Sequence, residues 1–155
     1  MALKQTLILA SLLASLRLGA ETSDRLKEIS THKVCGRSFK LEVARSDADR
    51  NRGMMFRRDL PQEEGMVFVF SQAETQVFWM KNVAIPLDIL FFDSKGKLIN
   101  STTMSVESSL VQDNFLKRYP SDRPSQFVVE LRSGTVKTFS STQLKTCTLH
   151  PLPKI

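Results

Sequence analysis

The chain's single tryptophan is followed closely by three polar side chains of different kinds. Trp79-Met80-Lys81-Asn82 leads through Val83-Ala84-Ile85-Pro86 to Asp88, so a cation, an amide and a carboxylate share one short stretch with an indole. If the turn at Pro86 lines a cleft, Lys81, Asn82 and Asp88 orient a polar ligand. Trp79 then offers a stacking face for a sugar or another planar group. Lys81 beside a carboxylate could also serve as an acid–base pair once burial shifts a pKa. The same residues have a structural reading, in which Asp88 caps a turn, Lys81 is solvated and Trp79 is core. A second cluster, Arg52, Arg57 and Arg58, surrounds Gly53-Met54-Met55-Phe56. Its guanidinium forks match a carboxylate or a phosphate. The alternative is a solvated helix end, ion-paired to Asp49 or Asp59.

Other chemistries lack their residues. The two histidines, His32 and His150, fall outside the expected domain, in its leader and its tail. A Ser-His-Asp or Cys-His engine, or a His-rich zinc site, needs a histidine inside it. Gly-rich phosphate loops are missing too. Met55, Met66 and Met80 could offer thioethers to Cu(I), but Met54, Met66 and Met80 lie in apolar segments where methionine is core filler. No catalytic residue, metal site or cofactor is therefore expected. Asn100-Ser101-Thr102 is a glycosylation acceptor only in a eukaryotic secretory pathway.

These residues are carried by a chain of 155, enough for one domain with its own core. Apolar residues make up 41% and charged residues 25%, ordinary values that exclude wholesale disorder. The start has the pattern of a cleavable export signal: Lys4, an apolar run over Thr6–Leu16, and Leu18-Gly19-Ala20 before Glu21. Such a run is too short to span a bilayer core of about 30 Å, and no later stretch is longer. A retained anchor or a buried helix is the alternative. Residues 1–20 hold Lys4 and Arg17 and no acid, so the net charge of +6 becomes +4, from 20 basic and 16 acidic residues, after cleavage. The basic residues are spread, so no nucleic-acid partner is expected. The two cysteines, Cys35 and Cys147, read first as a disulfide in an exported chain. Closing so long a loop stabilises by about 4–5 kcal/mol on the chain-entropy picture and sets the first and last strands side by side. Two unpaired buried thiols are the alternative.

Residues 21–34 are polar and aperiodic, and read as a flexible leader. Ser38–Ala44 alternates as a half-buried strand, and Ser46-Asp47-Ala48-Asp49 starts a short helix that Gly53 ends. Strands are expected at Met66–Phe70, Gln76–Met80 and Leu87–Phe92. After an Asp93-Ser94-Lys95-Gly96 turn come Lys97–Thr103, Phe127–Leu131 and a closing Leu144–Leu149. Ser105–Ser125 has no period and reads as a long functional loop, and Thr135–Phe139 as a helical turn. Short strands separated by turns imply a mostly β fold, a single-domain β-sandwich or barrel-like unit with one or two short helices. The expected organisation is a signal (1–20), a leader (21–34), a β domain (35–149) and a tail (150–155).

Several of these segments together resemble a known family. Asn51-Arg52-Gly53-Met54-Met55-Phe56-Arg57, Glu64-Gly65-Met66-Val67-Phe68-Val69-Phe70 and Phe78-Trp79-Met80-Lys81-Asn82 look like domain of unknown function 192. So do Ile85-Pro86-Leu87-Asp88-Ile89-Leu90-Phe91-Phe92-Asp93 and Tyr119-Pro120-Ser121. The resemblance runs from about Ser38 to Leu149 and implies a small, largely β protein, often exported, with no established biochemical role. Many relatives carry a Cys before the Tyr-Pro-Ser motif, where this chain has Phe115-Leu116-Lys117-Arg118, and a Gly-Asp turn where it has Phe139-Ser140-Ser141-Thr142-Gln143.

The leading expectation is an exported, non-enzymatic binding module, periplasmic or secreted, for a small polar or saccharide-like (glycan) ligand of the cell envelope. Its site would use Trp79, Lys81, Asn82 and Asp88, with Arg52 and Arg57. The alternatives are an envelope enzyme with Lys81 and Asp88 as acid and base, and a structural or protein-interaction domain using the Ser105–Ser125 loop and the arginines.

Overall fold

The computed structural model describes residues 27–155. The expected signal (1–20) and residues 21–26 of the expected leader lie outside the described residues. Nine strands and two short helices follow one another as β1 (Ile29–Val34), β2 (Arg37–Ala44), α1 (Asp47–Arg52), β3 (Glu64–Glu74), β4 (Val77–Phe78), β5 (Leu87–Phe92), β6 (Leu98–Met104), β7 (Tyr119–Pro120), β8 (Ser125–Arg132), α2 (Ser141–Lys145) and β9 (Leu149–His150). Seven strands form one curled half-barrel sheet in the order β6-β5-β8-β3-β2-β1-β9. Its pairs are antiparallel except β2–β3, which run parallel. A separate two-stranded sheet pairs β4 with β7.

The sheet is covered on both faces, which explains why its centre reads as continuous apolar sequence. In β5 every residue is buried, with Leu90 and Phe92 packing into one core and Leu87, Ile89 and Phe91 into the other. The same alternation splits β3 (Val67, Val69 against Met66, Phe68) and β8 (Phe127, Val129, Leu131 against Val128). Each fully buried Leu or Phe contributes roughly 1.5–3 kcal/mol. The first face is closed by the disulfide, Phe139 and Leu144. The second is closed by the segments carrying Met54, Leu60, Met80, Val83 and Tyr119.

Cys35 and Cys147 form the expected disulfide, with their Cα atoms 4.1 Å apart. β1 and β9 are adjacent and antiparallel, pairing Lys33 with His150 and Val34 with Leu149. Cys35 and Gly36 make the two-residue turn between β1 and β2 with φ of 50° and 86°, the left-handed pair a tight hairpin of this twist demands.

Three expectations need correction. The leader is not flexible to its end, because Ile29–Val34 is β1. Its apolar period is hidden because His32 fills a core position. There Ser30 Oγ lies 2.6 Å from Nε2, and Nδ1 donates to the Pro151 carbonyl at 2.6 Å. His32 is thus inside the domain, with both ring nitrogens engaged. Secondly, Leu144–Leu149 is not a strand throughout. Ser140 caps α2, and Ser140 and Gln143 form a reciprocal capping box, leaving Leu149–His150 as strand, preceded by a single bridge from Thr148 to Lys97. Thirdly, of Gln76–Met80 only Val77–Phe78 is strand, and its partner is the Tyr-Pro motif inside the long loop. That loop also holds a 3₁₀ turn at Asp113–Phe115.

Candidate functional site

A cleft of about 470 Å³ opens on the second face of the sheet. One wall is α1 with the turn after it, from Asp47 to Met55, and the other is the outer half of β3 with β4, Trp79 and Lys81. Local chemistry fixes both walls. Ser46 accepts a hydrogen bond from the Asp49 amide at 3.1 Å and starts α1, and Gly53 ends it with φ of 45°. A Cβ on Gly53 would lie a tight 3.3 Å from the Phe68 ring, and the positive φ is what the turn requires of glycine. Across the cleft, Tyr119-Pro120-Ser121 clamps β4: the Gln76 amide donates to Ser121 Oγ at 3.0 Å and the Ser121 amide to the Gln76 carbonyl at 2.9 Å. Between the walls lie aromatic rings. Phe68 and Phe78 meet edge to face at 4.9 Å, and Phe78 contacts Phe91 in the same way at 5.9 Å.

The base of the cleft holds a carboxyl group that sequence reasoning missed. Glu130 lies on β8 opposite Met66 of β3 and Ile89 of β5, on the face of Val128, and is only 4% exposed. Its Oε2 has no hydrogen-bond partner. Burial pushes the carboxyl up to about 8, with the charge of Arg57 pulling the other way, so Glu130 is protonated at neutral pH. A neutral carboxyl can donate one hydrogen bond and accept others. The signal was a charged residue inside the apolar run Phe127-Val128-Val129-Glu130-Leu131.

The expected site residues separate. Trp79 lines the cleft, is 43% exposed, and carries the Arg118 guanidinium 4.1 Å from its ring centre. Arg118 is not among the lining residues, so it stacks from outside. Lys81 lines the rim and is ion-paired to Asp113, whose carbonyl also accepts from Arg118 at 2.8 Å. Arg52 lines the cleft, is exposed, and has no ion-pair partner among the described residues. Asn82 does not line it. Its φ of 55° shapes a turn, and its carbonyl accepts from the Phe56 amide at 2.8 Å. Arg57 does not line the cleft either and is paired to Glu42.

Asp88 is not in this group at all. Strand alternation turns it to the opposite face, where it is fully buried. Thr103 Oγ1 and the Val136 amide each donate to it at 2.7 Å, so it anchors β6 and the 3₁₀ turn Val136–Thr138. Lys81, Asn82 and Asp88 therefore do not converge, and Lys81 and Asp88 cannot exchange a proton. Arg50, also on the cleft wall, is held by Asp47, the Arg45 carbonyl and the Val69 carbonyl, and lies 5.1 Å from the Phe70 ring centre.

The segments that line the cleft, Asn51–Met55 and Phe78–Trp79 with Lys81, belong to the motifs on which the family resemblance rests. Comparison with known proteins agrees with that resemblance. No curated protein matches. Among the solved structures that share the fold, two cover most of this chain. One, a candidate transcription regulator from Sinorhizobium meliloti 1021, has a TM-score of 0.67 and 27% identity, covering 79% of this chain and 93% of that one. The other, a protein of unknown function from Novosphingobium aromaticivorans DSM 12444, has a TM-score of 0.64 and 27% identity, covering 84% and 89%. The family model of DUF192, described as an uncharacterized ACR, matches residues 29–144, and the chain belongs to that family.

Proposed function

We propose that the protein is an exported, non-enzymatic binding module whose cleft takes a small polar or saccharide-like ligand of the cell envelope. The observation that carries this reading is the convergence in one cleft of a half-exposed indole, Trp79, and a buried carboxyl oxygen of Glu130 without a partner. Small-molecule sites have this composition: aromatic walls, a few directed polar groups and a volume of about 300–1,000 Å³. Export is supported by the Cys35–Cys147 disulfide, since such bonds persist mainly in oxidising compartments. Among the described residues no helix is long and apolar enough to cross a membrane.

Trp79 is the only tryptophan, so its emission reports on the cleft directly. Titration with low-molecular-weight fractions of an envelope extract is expected to shift that emission saturably. The Arg52→Ala, Trp79→Ala double variant, altered only at exposed positions, is expected to bind none of the active fraction by calorimetry. Full retention of binding by the folded double variant would remove the cleft from consideration.

A second reading, a protein-interaction surface, is favoured by Leu110 (90% exposed) and Phe115 (73%), apolar side chains on the loop that holds Lys81 through Asp113. A Leu110→Asp, Phe115→Asp variant that loses a partner in pull-down while keeping ligand binding would support it.

A further inference from the structure

We infer that the ligand of this cleft is a hydroxylated monocarboxylate of the uronic-acid kind, with its carboxylate on Arg52, its ring against Trp79 and a ring hydroxyl on Glu130. The inference rests on the binding-module reading and narrows it to one chemical class.

Charge decides the number of acidic groups. The lining carries Arg50, Arg52 and Lys81 against Asp47 and Glu74. Arg50 is held by Asp47 and Lys81 by Asp113, so Arg52 is the one lining cation, and Glu74 the one exposed lining anion, without an ion-pair partner among the described residues. A planar fork of this kind accepts one carboxylate in a two-point contact. A neutral sugar would leave it idle, and a doubly charged phosphate would call for a second free cation.

Hydrogen bonding decides the rest of the molecule. A buried oxygen without a partner is costly, and native structures rarely keep one unless something else fills the gap. Glu130 is flanked across the strands by Met66 and Ile89, whose side chains carry no nitrogen or oxygen, and the residue lines the cleft, so the partner assigned to its carboxyl comes from the cleft side. A hydroxyl can both donate and accept, which suits a neutral carboxyl. Trp79 contributes a flat apolar face at the rim, of the sort that packs against a pyranose ring. The ionisable groups near Glu130 are Arg57, and Arg50, Arg52, Lys81, Asp47 and Glu74 around the cleft. Ionising Glu130 above pH 8 would set an anion beneath a carboxylate-bearing ligand and weaken binding.

The experiment titrates glucuronate, and separately glucose, into the full-length protein with Trp79 emission and calorimetry as readouts. Glucuronate is expected to bind at least about tenfold more tightly than glucose, as one charged two-point contact provides. Arg52→Ala is expected to cost about tenfold for glucuronate and nothing for glucose. Between pH 7 and pH 9 wild-type binding is expected to fall by about tenfold, following the raised carboxyl. Glu130→Gln, neutral at every pH, is expected to keep its affinity flat over that range. Equal affinity for the two sugars, indifference to Arg52→Ala, or the same pH profile in wild type and Glu130→Gln each overturns the inference. Absence of any saturable glucuronate signal overturns it as well, while an active envelope fraction of another chemistry would leave the broader binding reading standing.

Discussion

The two faces of the sheet each bury a carboxylic acid, and the two acids have opposite surroundings. Asp88 on the first face has no exposed surface and two donors at 2.7 Å, one from β6 and one from the turn after β8. Glu130 on the second face is almost as buried, yet one oxygen has no donor or acceptor at all. Burial alone therefore does not mark a functional group. A carboxylate completed by its own chain is a fastener, holding segments that would otherwise part. One left incomplete beneath a cleft is stable in its neutral form and is ready for an outside partner.

The contrast can be broken most forcefully on the first face. Reduction, or a Cys35→Ser, Cys147→Ser pair, is expected to lower stability by about 4 kcal/mol in urea unfolding, because the bridge closes a separation of 112 residues there. Asp88→Ala is expected to cost about 3 kcal/mol, since it leaves the Val136 amide and the Thr103 hydroxyl without an acceptor in a buried place. Thermal unfolding of the purified variant measures this, and a loss under 1 kcal/mol would erase the distinction between the two acids.

On the second face the sign reverses. Glu130 has a folded-state pKa of about 8 against an ordinary value of 4.5, so the folded chain keeps a proton that the unfolded chain has released. Its contribution is fully present below pH 4.5, declines by about 1.4 kcal/mol per pH unit as pH rises towards 8, and is level beyond. Glu130→Gln removes that decline and is expected to stabilise the protein at pH 7 by roughly 3 kcal/mol. Urea midpoints at pH 5 and pH 8 in both proteins check it. The smallest effect belongs to the rim: Arg52→Ala is expected to change stability by less than about 0.5 kcal/mol, because the side chain is exposed and unpaired.

Much of the scaffold was legible in the residues. The run Leu87–Phe92, the serine cap before Asp47, the Asp93–Gly96 turn and the two cysteines each carry a local signal that tertiary packing does not override. β1 was obscured because a histidine stands where an apolar residue would reveal the alternation. α2 was obscured because Leu144 and Leu149 suggested a strand, although Ser140 and Gln143 already spelled a helix cap.

The site was half legible. Trp79, Lys81 and Arg52 do meet at the cleft. Asp88 was misplaced because proximity along a strand says nothing about side when both sides are apolar. Leu87-Asp88-Ile89 and Val129-Glu130-Leu131 present the same pattern, one charge among apolar neighbours. Only the register against β3 and β6 tells which acid meets a donor and which meets a cavity.

The parallel pairing of β2 with β3 has a bearing on how the cleft is built. Two strands that run the same way cannot be joined by a tight turn, so the chain has to travel back across the sheet between them. Residues 45–63 make that journey, and α1 and the Asn51–Met55 turn are part of it. One side of the cleft is thus the detour that this strand order obliges the backbone to make. Sequence change along it can reshape that wall while the pairing of the strands it links is left alone.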